Sequence, residues 1–257
     1  MPAPRPAYHP HWWTDVHRSP AANWRLGMVL CAVAGATNAG GFLAVGQYTS
    51  HMTGLISAMA DHLILGQFGL VLAALAGVAA FVGGAMTTAL MVNWSLRRHL
   101  RSAYARPLIL EAVLLLVFGF AGSRLQSHAE FNTPLTVLLL CYLMGLQNAV
   151  ITKISNAEIR TTHVTGLVTD IGIELGKMVY INRSRVPSRV VANRRKLRVQ
   201  SSLVAAFTAG AIAGAWGFAH SGFITSLPLA GVLCLVASGP LWYDLRQGQI
   251  APPASAD

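Results

Sequence analysis

Two short strings of polar residues recur in an otherwise apolar chain. Gly35-Ala36-Thr37-Asn38-Ala39 is followed by Ser50-His51-Met52-Thr53-Gly54-Leu55. Further on, Gly145-Leu146-Gln147-Asn148-Ala149 is followed by Thr162-His163-Val164-Thr165-Gly166-Leu167. The shared pattern is G-x-x-N-A, a gap, then [ST]-H-x-T-G-L. These residue types suit recognition better than bond-breaking. The Asn38 and Asn148 amides can donate to carbonyls left free where a helix breaks. Thr53 and Thr165 can cap a helix N-terminus, and Gly54 and Gly166 let a backbone or a ligand come close. Amide groups exposed at such an end favour an anion or a carbonyl oxygen. His51 and His163 carry imidazoles that change charge near neutral pH. In the second copy, His163, Asp170, Glu174 and Lys177 follow at intervals of seven, four and three, which puts them on one helical face. His163, Asp170 and Glu174 are therefore candidates for proton or ion coupling. Asp61 and His62 give the first copy a weaker version. Glu111, one turn into its helix and near Arg106, reads as interfacial.

The elements that must hold these residues are membrane helices. Of 257 residues 54% are hydrophobic and only 11% charged, and mean hydropathy is +0.51. A soluble domain carries about 25% charged residues. Half that density does not cover a water-facing surface, and the apolar content excludes disorder. Collagen, coiled-coil and disulfide scaffolds fail as well. Cys31, Cys141 and Cys234 all lie in apolar helices and form no metal or disulfide pattern. A crossing needs about 20 apolar residues. Six such segments stand at about 26–46, 68–94, 107–123, 133–152, 199–218 and 224–243. Segments 51–66 and 161–180 are helical but poorer in apolar residues. Residues 1–25 do not read as a signal peptide. They read as a flexible tail, with Trp12 and Trp13 free to meet the lipid interface, and 244–257 form the other tail.

The chain has 19 Lys and Arg against 9 Asp and Glu. In a soluble protein that excess would suggest nucleic acid. Suppose instead that 51–66 and 161–180 enter the membrane and return. Every basic residue except Arg124 then falls on one side, which the positive-inside rule makes cytoplasmic. The fold expected is an all-α polytopic membrane protein. Six full transmembrane helices and two re-entrant or broken helices form a 3+3 inverted repeat, with repeat one at 26–123 and repeat two at 133–243. The alternative is eight crossings in a 4+4 parallel repeat, which moves Arg97–Arg106 outside. The cluster 183–198 serves orientation, or alternatively binds anionic lipid. It lacks the interleaved aromatics of a nucleic-acid surface. Each copy also leads to a helix rich in small residues, Ala80-x-x-x-Gly84 and Gly210-x-x-x-Gly214, spacings that let membrane helices pack closely.

G-x-x-N-A, the run T-T-H-V-T-G-L-x-T-D-I-G-x-x-L-G and G-L-Q-N-A at 145–149 resemble the YoaK family of uncharacterised bacterial membrane proteins, over about 26–243. The resemblance implies a bacterial inner-membrane location. From the repeat itself the expected function is a secondary transporter or permease for a small solute, bound where the two repeats meet. A non-transporting sensor, lipid-binding or assembly protein is the alternative. An enzyme is not expected, since no H-E-x-x-H, G-x-S-x-G or Walker pattern is present. No cofactor or metal is implied. The partners expected are the lipid bilayer, an unknown small solute and a second copy in a possible homodimer, without nucleic acid.

Overall fold

The computed structural model describes residues 13–16, 19–122, 129–154, 162–182 and 189–248. Of the basic residues that define the expected topology, Arg5, Arg18, Arg124, Arg160, Arg183 and Arg185 lie outside them, as does Trp12. The described residues form eight α-helices and no strand: α1 (Pro20–Val45), α2 (Met52–Ile64), α3 (Phe68–Arg97), α4 (Ala105–Gly122), α5 (Ala129–Ile154), α6 (Val164–Val179), α7 (Arg194–Ser221) and α8 (Ser226–Gly248). Five segments are long and apolar enough to cross a membrane: Ala21–Val45, Phe68–Arg97, Arg101–Phe120, Thr133–Ile154 and Arg194–Arg246, the last of which contains both α7 and α8. The chain is a helical multi-pass membrane protein.

Helix ends outrun the apolar windows because local capping extends them. Ser19 accepts from the Ala22 amide at 3.3 Å and Pro20 opens the first turn, so α1 starts six residues before Leu26. Asn193 caps α7, accepting from the Lys196 amide at 3.0 Å, so the basic turn Arg194–Arg198 is helical. The expected tail is partly docked. Thr14 is buried and donates to the Val236 carbonyl at 3.0 Å, and buried Asp15 lies 3.8 Å from Arg101.

Close contacts fix how the long helices run. α1 and α7 lie parallel: Trp24 Nε1 donates to Ser202 Oγ at 2.9 Å near their starts, Gly210 abuts the Ala32 carbonyl, and Gly40 faces the Phe218 ring near their ends. α3 and α5 lie parallel too. Gly84 abuts the Tyr142 carbonyl, Thr88 Oγ1 donates to the Leu146 carbonyl at 3.0 Å, and Lys153 reaches Asn93 at 3.0 Å. α1 crosses α5 antiparallel, with Gln147 donating to the Leu30 carbonyl at 3.2 Å and Gly41 against Leu140. α4 and α8 are antiparallel. Gly119 and Gly122 meet Ser226 and Phe223 at one end, and Asp244 accepts from the Ser102 amide at 2.8 Å at the other. The main core lies between these pairs and includes Leu30, Leu108, Leu143, Ile151 and Leu233.

The small-residue helices pair in a register that differs from their spacing. Sequence matches Ala80 with Gly210 and Gly84 with Gly214. In the structure Gly84 and Gly210 hold the matching places, against the carbonyls of Tyr142 and Ala32 respectively, and Gly214 follows one turn on against the Ala36 backbone. Spacing reports that a helix has a small face; which residue of that face meets the partner depends on where the helices cross.

α2 and α6 have 13 and 16 residues. At 1.5 Å per residue they are about 20 and 24 Å long, short of the ~30 Å hydrocarbon core. Each folds back along the next long helix. Leu55 of α2 reaches Gly77 of α3, and Asp170 and Glu174 of α6 reach Gln200 and Asn193 at the start of α7. Between α2 and α3 the chain reverses at Gly66, whose φ of 70° suits glycine.

Glu111 departs from its expected interfacial place. It shares its helical face with Leu108, Ala112 and Leu115, all buried, and is itself fully buried. Neither carboxyl oxygen has a partner among the described residues. Arg106, five positions earlier on the helix, instead bonds Ser102 at 3.1 Å and lies over the Trp94 ring at 5.1 Å.

Candidate functional site

The two polar strings fold in the same way. Asn38 Oδ1 accepts from Ser50 Oγ at 3.0 Å, and Asn148 Oδ1 accepts from Thr162 Oγ1 at 2.9 Å. Seven residues of α1 follow Asn38 before the helix ends at Val45. The Ser50 bond therefore brings the chain about 10 Å back along α1 before α2 begins. The asparagines do not serve as expected. Their oxygens hold the returning segment, and Asn148 Nδ2 donates to the Met144 carbonyl of its own helix at 2.8 Å. Burial repeats as well: residues 31–40 and 141–150 carry the same succession of buried and half-buried positions.

The histidines hold the N-cap positions of α2 and α6, and neither makes a side-chain cap bond. Each ring lies over the glycine three residues on, His51 on Gly54 and His163 on Gly166, filling the space where a Cβ would stand. That packing explains the H-x-x-G interval. Thr53 and Thr165, the expected caps, lie inside the first turn and are exposed. The early amides of both helices thus have no side-chain acceptor at the cap.

The two strings meet at one cavity of about 630 Å³. Asn38, Ser50 and His51 line it from the first string, Thr162, Val164 and Thr165 from the second. α7 adds Phe207 and Thr208, and Phe42 and Tyr48 stack at its edge with ring centres 4.7 Å apart. Thr53, Gly54, Asn148, His163, Gly166 and Asp170 are not among its lining residues. Ser50, Thr162, Tyr48, Phe207 and Thr208 were not singled out from sequence. The hydroxyl beside each histidine was the available signal, since it recurs as Ser in one copy and Thr in the other.

Asp170 and Glu174 belong to the packing of α6 on α7. Asp170 accepts from Gln200 at 2.6 Å and pairs with Lys196 at 3.2 Å. Glu174 is buried, takes Lys177 at 2.8 Å and accepts from the Asn193 amide at 2.6 Å. Both lie outside the candidate membrane spans. The bond from Lys196, then that from Gln200, holds the Asp170 carboxyl below the usual carboxylate range. Lys177, then the Asn193 amide, does so for Glu174. Folded values below unfolded ones mean that this stabilisation is complete above about pH 4 and is lost as pH falls through the depressed values. Hydrogen exchange of residues 164–179 is expected to quicken selectively in that acid range while α1 and α7 stay protected. Unchanged exchange down to pH 3 would show that these pairs do not hold α6.

Among the described residues no three His, Cys, Asp or Glu side chains come together to hold a metal. The model of a family described as protein of unknown function (DUF1275) matches residues 26–239. The chain belongs to that family. The DUF1275 match takes in both polar strings and both sides of the cavity. No curated protein and no solved structure matches the chain.

Proposed function

We propose that this DUF1275 protein is a secondary transporter or permease for a small solute, bound in the cavity where the two polar strings meet. The observation that carries the reading is that the starts of two short helices, one from each copy of the motif, line one cavity. Interrupted helices meeting at the centre of paired repeats are a recurring transporter arrangement. The cavity's polar lining offers hydroxyls, an amide and an imidazole, with no carboxylate or thiol among the described residues, which favours binding over catalysis.

The topology proposed is six crossings with α2 and α6 re-entrant, in two inverted halves. Matched contacts support it. Gly35 against the Phe207 carbonyl corresponds to Gly145 against that of Phe81, and Gly210 with Ala32 corresponds to Gly84 with Tyr142. Such an exchange of helices between halves gives parallel α1/α7 and α3/α5 pairs. The antiparallel crossing of α1 and α5 argues against parallel repeats, in which those helices would run the same way. The positive-inside rule then puts both termini in the cytoplasm of a bacterial cell, with the chain in the inner membrane.

Purified protein in proteoliposomes is expected to give saturable flux of at least one small solute, and a reporter fused after Arg106 is expected to be cytoplasmic. An external reporter would sink the inverted arrangement. Absence of flux across a broad panel, with the protein intact, would favour the sensor or lipid-binding alternative. That alternative draws on exposed Arg189, Arg194, Arg195 and Arg198 beside exposed Ile181 and Val191, a surface suited to anionic lipid.

A further inference from the structure

We infer that the cavity selects an uncharged, flat, hydrogen-bonding solute of roughly the size of an aromatic amide or a nucleobase. The inference rests on the cavity being the binding site but not on transport. Among the described residues no Asp, Glu, Lys or Arg lines it. The acid nearest in sequence on α6, Asp170, is held by Lys196 and Gln200, and Gln200 lies seven residues before Phe207, about 10 Å along α7. A charged solute would bind in a largely apolar, partly open cleft that offers no Asp, Glu, Lys or Arg among the described residues as a counter-ion, which is costly inside a membrane protein.

The polar groups present suit a neutral solute with both donors and acceptors. Asn38 Oδ1 is occupied by Ser50, which leaves its NH₂ to donate. The hydroxyls of Thr165 and Thr208 both donate and accept, and the uncapped start of α6 at Val164 and Thr165 offers backbone amides that a carbonyl oxygen can accept from. The apolar part combines the Phe42, Tyr48 and Phe207 rings with Gly35, Ala39 and Ala211. Rings and small side chains present flat surfaces, against which a planar solute keeps more contact than a puckered one. A volume of about 630 Å³ falls within the range of ~300–1,000 Å³ typical of small-molecule sites.

Three probes of nearly the same shape separate the charge states: benzamide, benzoate and benzamidine. Cyclohexanecarboxamide tests flatness, and uracil tests a second neutral planar skeleton. Binding is measured by calorimetry on the full chain in nanodiscs. Benzamide and uracil are expected to bind saturably, with benzoate, benzamidine and cyclohexanecarboxamide at least tenfold weaker. Benzamide affinity should fall at least tenfold in Ala39→Trp, which fills the cavity, and several-fold in the milder Thr208→Val, each checked for an unchanged elution profile. Equal or tighter binding of either ion overturns the charge selection. Equal binding of the cyclohexane analogue overturns the flatness. No saturable binding of either neutral planar probe overturns the whole inference. Binding as expected with no flux in proteoliposomes would remove the transport function and leave this site standing.

Discussion

Gly210→Leu is expected to prevent α1 and α7 from packing and to leave little monodisperse protein in detergent. A Cβ at Gly210 would press on the carbonyl, carbon and Cα of Ala32, which are backbone atoms and have no rotamer to yield. Overpacking a core commonly costs ~1–3 kcal/mol through shifted side chains. Here the helices themselves must separate, so the loss should reach or exceed the top of that range, a large share of the ~5–15 kcal/mol that holds a typical domain. Gly84→Leu should do the same damage, because it meets the Tyr142 carbonyl and the Leu146 amide in the matching place on α3 and α5. Gly172→Leu and Gly176→Leu on α6 are the controls: a Cβ at either meets nothing within 4 Å, so melting temperature should stay close to that of the parent chain. A well-folded Gly210→Leu protein would mean that the α1/α7 contact is looser than described.

The second large effect is on flux. Asn38→Ala and Asn148→Ala each remove the acceptor that holds the segment returning towards the cavity. A hydrogen bond of this kind contributes ~0.5–1.5 kcal/mol net. If the short helices must start in register to form the site, a loss of that size lowers flux by about two- to tenfold. Ser50→Ala should reproduce the part of the Asn38→Ala loss that comes from their shared bond, and the double variant should be little worse than Asn38→Ala alone. Additive losses would show that Ser50 acts in a separate way. Full flux in both asparagine variants, with the short helices still protected from exchange, would sink the role given to these bonds.

The sequence disclosed the pairing of motifs because two copies stand in one chain. Each string predicts the other's fold, and Asn38 with Ser50 repeats in Asn148 with Thr162. It did not disclose what each residue does. Thr53 and Thr165 looked like caps because threonine often is one, but the histidine two residues earlier occupies the cap and folds over a glycine. His163, Asp170 and Glu174 share a helical phase, yet phase carries no information about the helix packed alongside. Asp170 takes its partners, Lys196 and Gln200, from α7. Glu111 misled in the opposite sense: closeness to Arg106 in sequence suggested a partner, while its phase with Leu108 and Leu115 sends it inward. Partners across helices depend on crossing geometry, which a local pattern does not contain.

The parallel seam between α1 and α7 also bears on how the protein is made. Trp24 and Ser202 are 178 residues apart, and Thr14 and Val236 are 222 apart. At ~5–20 residues per second, the ribosome needs about ten to forty seconds after α1 emerges before its partner exists. Through that interval the small-residue face of α1 must wait in the bilayer or against the insertion machinery. α1, inserted well before α7, therefore reaches its place only after α7 is made, and a stall in synthesis before α7 would leave it with an open side.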